Sequence, residues 1–80
     1  MGNFEYKIIK HIAVLSISKF GWAKELNLVE WNGRAAVYDV RSWDPDHEKM
    51  SKGITITEEE MAALVAAMKE QEGGGNVGSE

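Results

Sequence analysis

The fold is decided by Trp22-Ala23-Lys24-Glu25-Leu26-Asn27-Leu28-Val29-Glu30-Trp31-Asn32-Gly33-Arg34-Ala35-Ala36-Val37-Tyr38-Asp39-Val40-Arg41-Ser42-Trp43. Its first ten residues alternate. Trp22, Lys24, Leu26, Leu28 and Glu30 share one face of an extended strand; Ala23, Glu25, Asn27, Val29 and Trp31 share the other. Asn32-Gly33 follows at once, and Asn-Gly between alternating runs is a strong hairpin signal. From about Arg34 to Trp43 the alternation resumes, with Ala36, Tyr38 and Val40 opposite Val37, Asp39, Arg41 and Trp43. Leu26 and Leu28, with Tyr38 and Val40, mark the expected core face. Asn27, Trp31, Arg41 and Trp43 are then expected together on an open face, which one bulge would partly invert.

Working outward, Phe4 to Ser18 is rich in β-branched and aliphatic residues and has no helical cap, which predicts a strand, with Lys10-His11 as a possible bend. Lys19-Phe20-Gly21 reads as the turn out of it. Ser42 to Ser51 is a polar loop holding the only proline, Pro45, and Ile54-Thr55-Ile56 is a short fourth strand. Thr57 with Glu60 three residues later makes a capping box, with Ile56 and Met61 placed as a hydrophobic staple. Glu58, Glu59 and Glu60 suit the positive end of a helix dipole. Met61, Leu64, Val65 and Met68 form its apolar stripe, and alanines 62, 63, 66 and 67 allow close approach to a neighbour. Gly73-Gly74-Gly75 ends the helix. The expected organisation is one α+β domain over residues 1–71, four antiparallel strands and a helix (ββββα), with residues 72–80 a disordered Gly-rich tail.

Eighty residues make one small domain with a modest core. No cysteine is present, so disulfides and thiolate metal sites are excluded and oligomerisation is the remaining common source of extra stability. No signal peptide and no membrane-length apolar run is visible, and the expectation is a soluble cytoplasmic protein without membrane association. The net charge of −4 is unevenly spread. Residues 57–80 carry six acids and one base, giving −5, while residues 1–56 carry eight bases and seven acids, giving +1. Phosphate binding depends on the field of one face rather than on the total.

Flat rings and spaced cations on one sheet face suit unpaired nucleic acid, because rings stack on bases and cations track phosphates. The same rings also suit an ordinary core or a protein interface. Trp22 shares the parity of Leu26 and Leu28, which argues against it as a stacking ring. Asp44, Asp46, His47 and Glu48 lack the glycine and terminal glutamate of a calcium loop, and one histidine is a thin basis for zinc. Helix capping accounts for Glu58-Glu59-Glu60. Neither His11 nor His47 has a nucleophile pattern near it, and Lys52-Gly53-Ile54 lacks the glycines of a phosphate loop. No enzyme, metal or cofactor is expected.

The order Gly21-Trp22, Lys24-Glu25-Leu26-Asn27, Tyr38-Asp39-Val40-Arg41, Trp43, Asp46-His47-Glu48-Lys49-Met50 and Lys52-Gly53-Ile54-Thr55 resembles the transcriptional positive cofactor four family. It is especially similar to that family's short bacterial, YdbC-like branch, over about Phe4 to Met68. The resemblance implies a helix-mediated homodimer whose curved sheets hold single-stranded DNA. It implies stacking on Trp31 and Trp43, with Arg41 and Lys52 at phosphates. Lys24 and Lys49 are further phosphate candidates, Asn27 a candidate hydrogen-bonding group, and Trp22 a lesser stacking candidate. The phosphorylated tail of the eukaryotic members has no counterpart, and Val29 stands where their pattern has a cation, so the coactivator role is not carried over. Transcription or repair proteins are possible partners. The alternatives are single-stranded RNA binding and a protein-interaction module of the transcription machinery. On the open-face reading, Trp43→Ala weakens binding with little loss of fold.

Overall fold

The computed structural model describes residues 5–73. Four antiparallel strands run in sequence order, β1 (Tyr6–Ile17), β2 (Ala23–Trp31), β3 (Val37–Trp43) and β4 (Ile54–Ile56), followed by one helix, α1 (Glu58–Gly73). Strand count, order and helix position are those expected. The expected first strand begins at Phe4, outside the described residues. The helix reaches Gly73, so the first two residues of the expected tail are helical; the rest of the tail lies outside the described residues.

The Asn-Gly turn forms with both residues at positive φ, Asn32 at 51° and Gly33 at 76°, closed by Arg34 N–H to the Trp31 carbonyl at 2.9 Å. A two-residue turn alone would pair Trp31 with Arg34 and set odd residues against even. The ladder instead pairs Val29 with Val37, Asn27 with Asp39 and Ala23 with Trp43. Residues 34–36 lie outside the strands and absorb the one-residue difference. The two alternating sets therefore meet as the parity reading expects.

β1 departs from that reading. It does not split at Lys10-His11 but runs unbroken for 12 residues against the nine of β2. Register shifts fall between Ile8 and Lys10, His11 and Ala13, and Val14 and Ser16, so Ile9, Ile12 and Leu15 are the extra residues. Each bulge bends the strand and increases its twist. A bulge every third residue turns a period of two into a period of three. Ile8, His11, Val14 and Ile17 thereby register with Val29, Asn27, Glu25 and Ala23.

The sheet is strongly curled. Trp31 and the partner of Trp43, Ala23, are eight residues apart on β2, about 26 Å along a flat strand. Yet the ring of Tyr6 lies 5.7 Å from that of Trp31 and 5.5 Å from that of Trp43. One ring reaches both only if the sheet wraps around them, and the face they share is concave.

This curl corrects the expected core. Leu26, Leu28, Tyr38 and Val40 are only half-buried, because α1 touches β3 and β4 alone. Full burial falls on the opposite, concave face, at Asn27, Val29, Asp39 and Trp43, all 0% exposed. The face expected to be open is the one that closes on itself. Thr57 and Glu60 form the capping box, with Thr57 N–H to Glu60 Oε1 at 2.9 Å and Glu60 N–H to Thr57 Oγ1 at 3.1 Å. Beyond this start α1 stands away from the sheet, leaving Leu64 (48%), Val65 (44%) and Met68 (55%) exposed.

Candidate nucleic-acid interface

β2 and β3 lay Glu25, Asn27, Val29 and Trp31 beside Asp39, Arg41 and Trp43 on the concave face. Two polar assemblies are built there. The first centres on Asp39, which is fully buried and accepts from Arg41 three times: Nε to Oδ1 at 3.0 Å, Nε to Oδ2 at 2.8 Å and Nη2 to Oδ1 at 2.8 Å. The two residues stand two apart on one strand, so they face the same way and the fork closes within β3. The pinned guanidinium lies 4.7 Å over the Trp31 ring, a cation–π contact worth about 1–2 kcal/mol when partly desolvated. Arg41 Nη1 also reaches Met50 Sδ and the Ser51 carbonyl, each at 3.4 Å.

The second assembly centres on Glu25. Its Oε1 accepts from Asn27 Nδ2 at 3.1 Å and from His47 Nε2 at 3.0 Å, so His47 carries its proton on Nε2. Asn27 Oδ1 is then turned to His11 Nδ1, which donates at 2.8 Å. His11 Nδ1 also lies 3.6 Å from Glu25 Oε1. Burial works against ionisation of Glu25. Hydrogen bonds from His47 and Asn27, with the charges of His47 and His11, outweigh it and hold the carboxyl below its usual range. The network ties β1, β2 and the loop after β3 together.

That loop is itself ordered. Asp44 Oδ1 accepts from Glu48 N–H at 2.8 Å and Lys49 N–H at 3.1 Å, and the backbones of Asp44 and Lys49 bond at 3.0 Å. The Lys49 amide first, then that of Glu48 and the Lys49 charge, hold the Asp44 carboxyl below its ordinary value against a smaller desolvation cost. Trp43 bridges to Met50 beneath the loop. Gly53 then crosses β3 closely: a Cβ there would run into the Val40 carbonyl oxygen and Arg41 Cβ. Glycine is required at this crossing for space, and Lys52 is set beside it, exposed.

The candidate residues are thus only partly brought together. Trp31 is half-buried beside Arg41, and Lys49 and Lys52 are exposed on the adjoining segment. Trp43 is on the same face but wholly covered: His47 stacks on it at 4.1 Å and 5°, and Tyr6 approaches at 49°. Its open-face placement is corrected, because the curl and the His47 loop enclose it. Asn27 is likewise committed to His11 and Glu25 and is not offered to a ligand. Lys24 pairs with Ser16 and Ser42 on the aliphatic face, so the sheet separates it from Arg41. Trp22 sits at the β1–β2 turn and makes no ring contact with Trp31 or Trp43 among the described residues. Residue reading missed Tyr6, His11, Glu25, Asp39 and His47 as parts of the site. The available signal was the odd parity of Glu25 and Asp39, two acids alternating with Asn27 and Arg41 on the aromatic face. Among the described residues no group of three histidines or acids is arranged to hold a metal ion, and no helix is long and apolar enough to cross a membrane.

A curled antiparallel sheet with rings and an oriented guanidinium in its hollow, trailed by one helix, is the frame of a small nucleic-acid-binding domain. Residues 18–67 match the family described as Transcriptional Coactivator p15 (PC4), and the chain belongs to that family. The family is known for single-stranded DNA binding and coactivator roles. The chain is also 45% identical, over 62 residues, to an uncharacterized protein of Treponema pallidum (strain Nichols), covering 78% of this chain and 73% of that protein.

Proposed function

We propose that this chain binds single-stranded DNA with little sequence preference, acting as a homodimer. The observation that carries the reading is the Arg41 guanidinium, locked by Asp39 and laid over Trp31 on the concave face. It supplies a fixed cation beside an aromatic platform, the two elements that single-strand binding needs. Lys49 and Lys52 extend the positive track along the segment between β3 and β4. Trp31 stacks one base, and Trp43 is the second ring of the same hollow. Self-association is supported by the apolar stripe of α1. Leu64, Val65 and Met68 are each about half exposed, so covering them contributes about 1 kcal/mol per side chain, or about 6 kcal/mol over two helices. The role in the cell falls within transcription regulation or DNA replication and repair.

The test is a titration with labelled oligothymidine, following anisotropy and tryptophan emission, beside the same-length duplex and oligouridine. Tight binding with quenching by the DNA single strand, and weak binding of duplex, is expected. With Arg41 paired to Asp39, Lys49 and Lys52 are the exposed cations of this track, and the slope of log K on log salt is about −1 per subunit. Preference for oligouridine would make the ligand RNA. No response to any strand would leave a protein-interaction surface.

A further inference from the structure

Trp43 is fully buried, yet the group lying flat on it belongs to an exposed loop. The His47 imidazole is parallel to the indole within 5°, with centroids 4.1 Å apart. A flat heteroaromatic ring at that spacing reproduces how a base lies on an aromatic platform.

The loop backbone is ordered, with His47 N–H donating to the Asp44 carbonyl at 2.9 Å. The imidazole itself is anchored, among the described residues, only by its hydrogen bond to Glu25 Oε1, and the His47 side chain remains 40% exposed. The His47 backbone has φ of 61°, in the left-handed region that disfavours a residue with a Cβ. Positions 45–49 are all exposed. Beneath the stack, Trp43 Nε1 is buried with no hydrogen-bond partner among the described residues. An unpaired buried N–H is a standing cost in the closed state.

We propose that His47 is a built-in stand-in for a nucleobase. It covers Trp43 in the free protein and swings away when a single strand enters, so that a base takes its place on the indole. The inference rests on the single-strand reading above and adds a step to it. Displacement relaxes a left-handed histidine and uncovers the Trp43 face, and the strand supplies a flat ring to cover it again. In the free protein the stack keeps a large apolar ring from water. Its consequence for affinity is a competition: the apparent affinity is the intrinsic affinity multiplied by the fraction of molecules in which the loop is open.

The experiment uses the full chain, labelled oligothymidine and two readouts. His47→Asn is the chosen variant, because asparagine accepts left-handed φ and removes the ring. If the loop is closed about nine-tenths of the time, His47→Asn binds about tenfold tighter than the parent. NMR of the unmutated protein gives the second readout and does not depend on the variant folding. The His47 ring protons should be shielded by the indole when free and lose that shielding at saturation, while the Trp43 indole N–H shifts. Oligonucleotide binding with His47 still shielded would overturn the gate and leave the single-strand reading intact. So would weaker or unchanged binding by a folded His47→Asn, the weaker case making His47 a direct contact. Absence of binding by both proteins would overturn the gate together with the reading it rests on.

Discussion

Replacing Trp43 by alanine separates a core ring from an exposed platform. Trp43 is 0% exposed, stacked by His47 and approached by Tyr6. Truncating a large buried aromatic costs about 3–5 kcal/mol. One feature reduces that figure: the indole N–H has no partner among the described residues, and removing an unsatisfied donor returns about 1 kcal/mol or more. Trp43→Ala should therefore cost about 3 kcal/mol. For a domain of this size the total is about 4–12 kcal/mol, so the variant loses a large share of its stability. Trp43→Phe keeps a ring against His47 and deletes the N–H, and should cost less than about 1.5 kcal/mol. The assay is urea unfolding followed by far-UV circular dichroism at one protomer concentration, since the proposed self-association would couple stability to concentration. A cost below about 1 kcal/mol for Trp43→Ala would refute the enclosed ring. A Trp43→Phe cost well above about 1.5 kcal/mol would refute the account of the unpaired N–H, and equal costs for the two substitutions would mean that a ring at this position adds nothing.

Asp39→Asn removes the charge that holds Arg41 and should cost about 3–5 kcal/mol, measured by the same unfolding. A cost under 1 kcal/mol would mean that the fork is not structural. Gly53→Ala places a methyl against the Val40 carbonyl and Arg41 Cβ and should destabilise by about 1–3 kcal/mol; a neutral variant would show that the crossing is looser than described. The Glu25 carboxyl titrates below its usual range in the folded protein. Its stabilisation is whole above the ordinary carboxylate range and is lost as pH falls through the lowered folded value. The stability gap between the parent and Glu25→Gln should accordingly be largest near neutrality and close in acid, and a gap independent of pH would contradict the network. On the proposed homodimer, the parent should sediment as a dimer and Leu64→Glu as a folded monomer; an unchanged dimer would move the interface off α1, and a monomeric parent would refute the homodimer.

The alternation of β2 and β3 was legible because a strand's period of two is a local property of the backbone. It correctly grouped Asn27, Trp31, Arg41 and Trp43. The capping box at Thr57 and Glu60 was legible for the same reason: its partners lie within one helical turn. What alternation cannot say is which face closes. Leu26, Leu28, Tyr38 and Val40 are the more apolar set, yet α1 covers them only in part. The three bulges of β1 curl the opposite face around Trp43 and Asp39. Those bulges leave no local mark in a run of isoleucine, valine and leucine, since they come from matching twelve residues of β1 to nine of β2. The partners of Glu25 were hidden likewise, because His11 and His47 reach it from 14 and 22 residues away along the chain. Local chemistry determined the elements and the members of each face. Long-range register and curl decided which face is buried, and so which rings a ligand meets first.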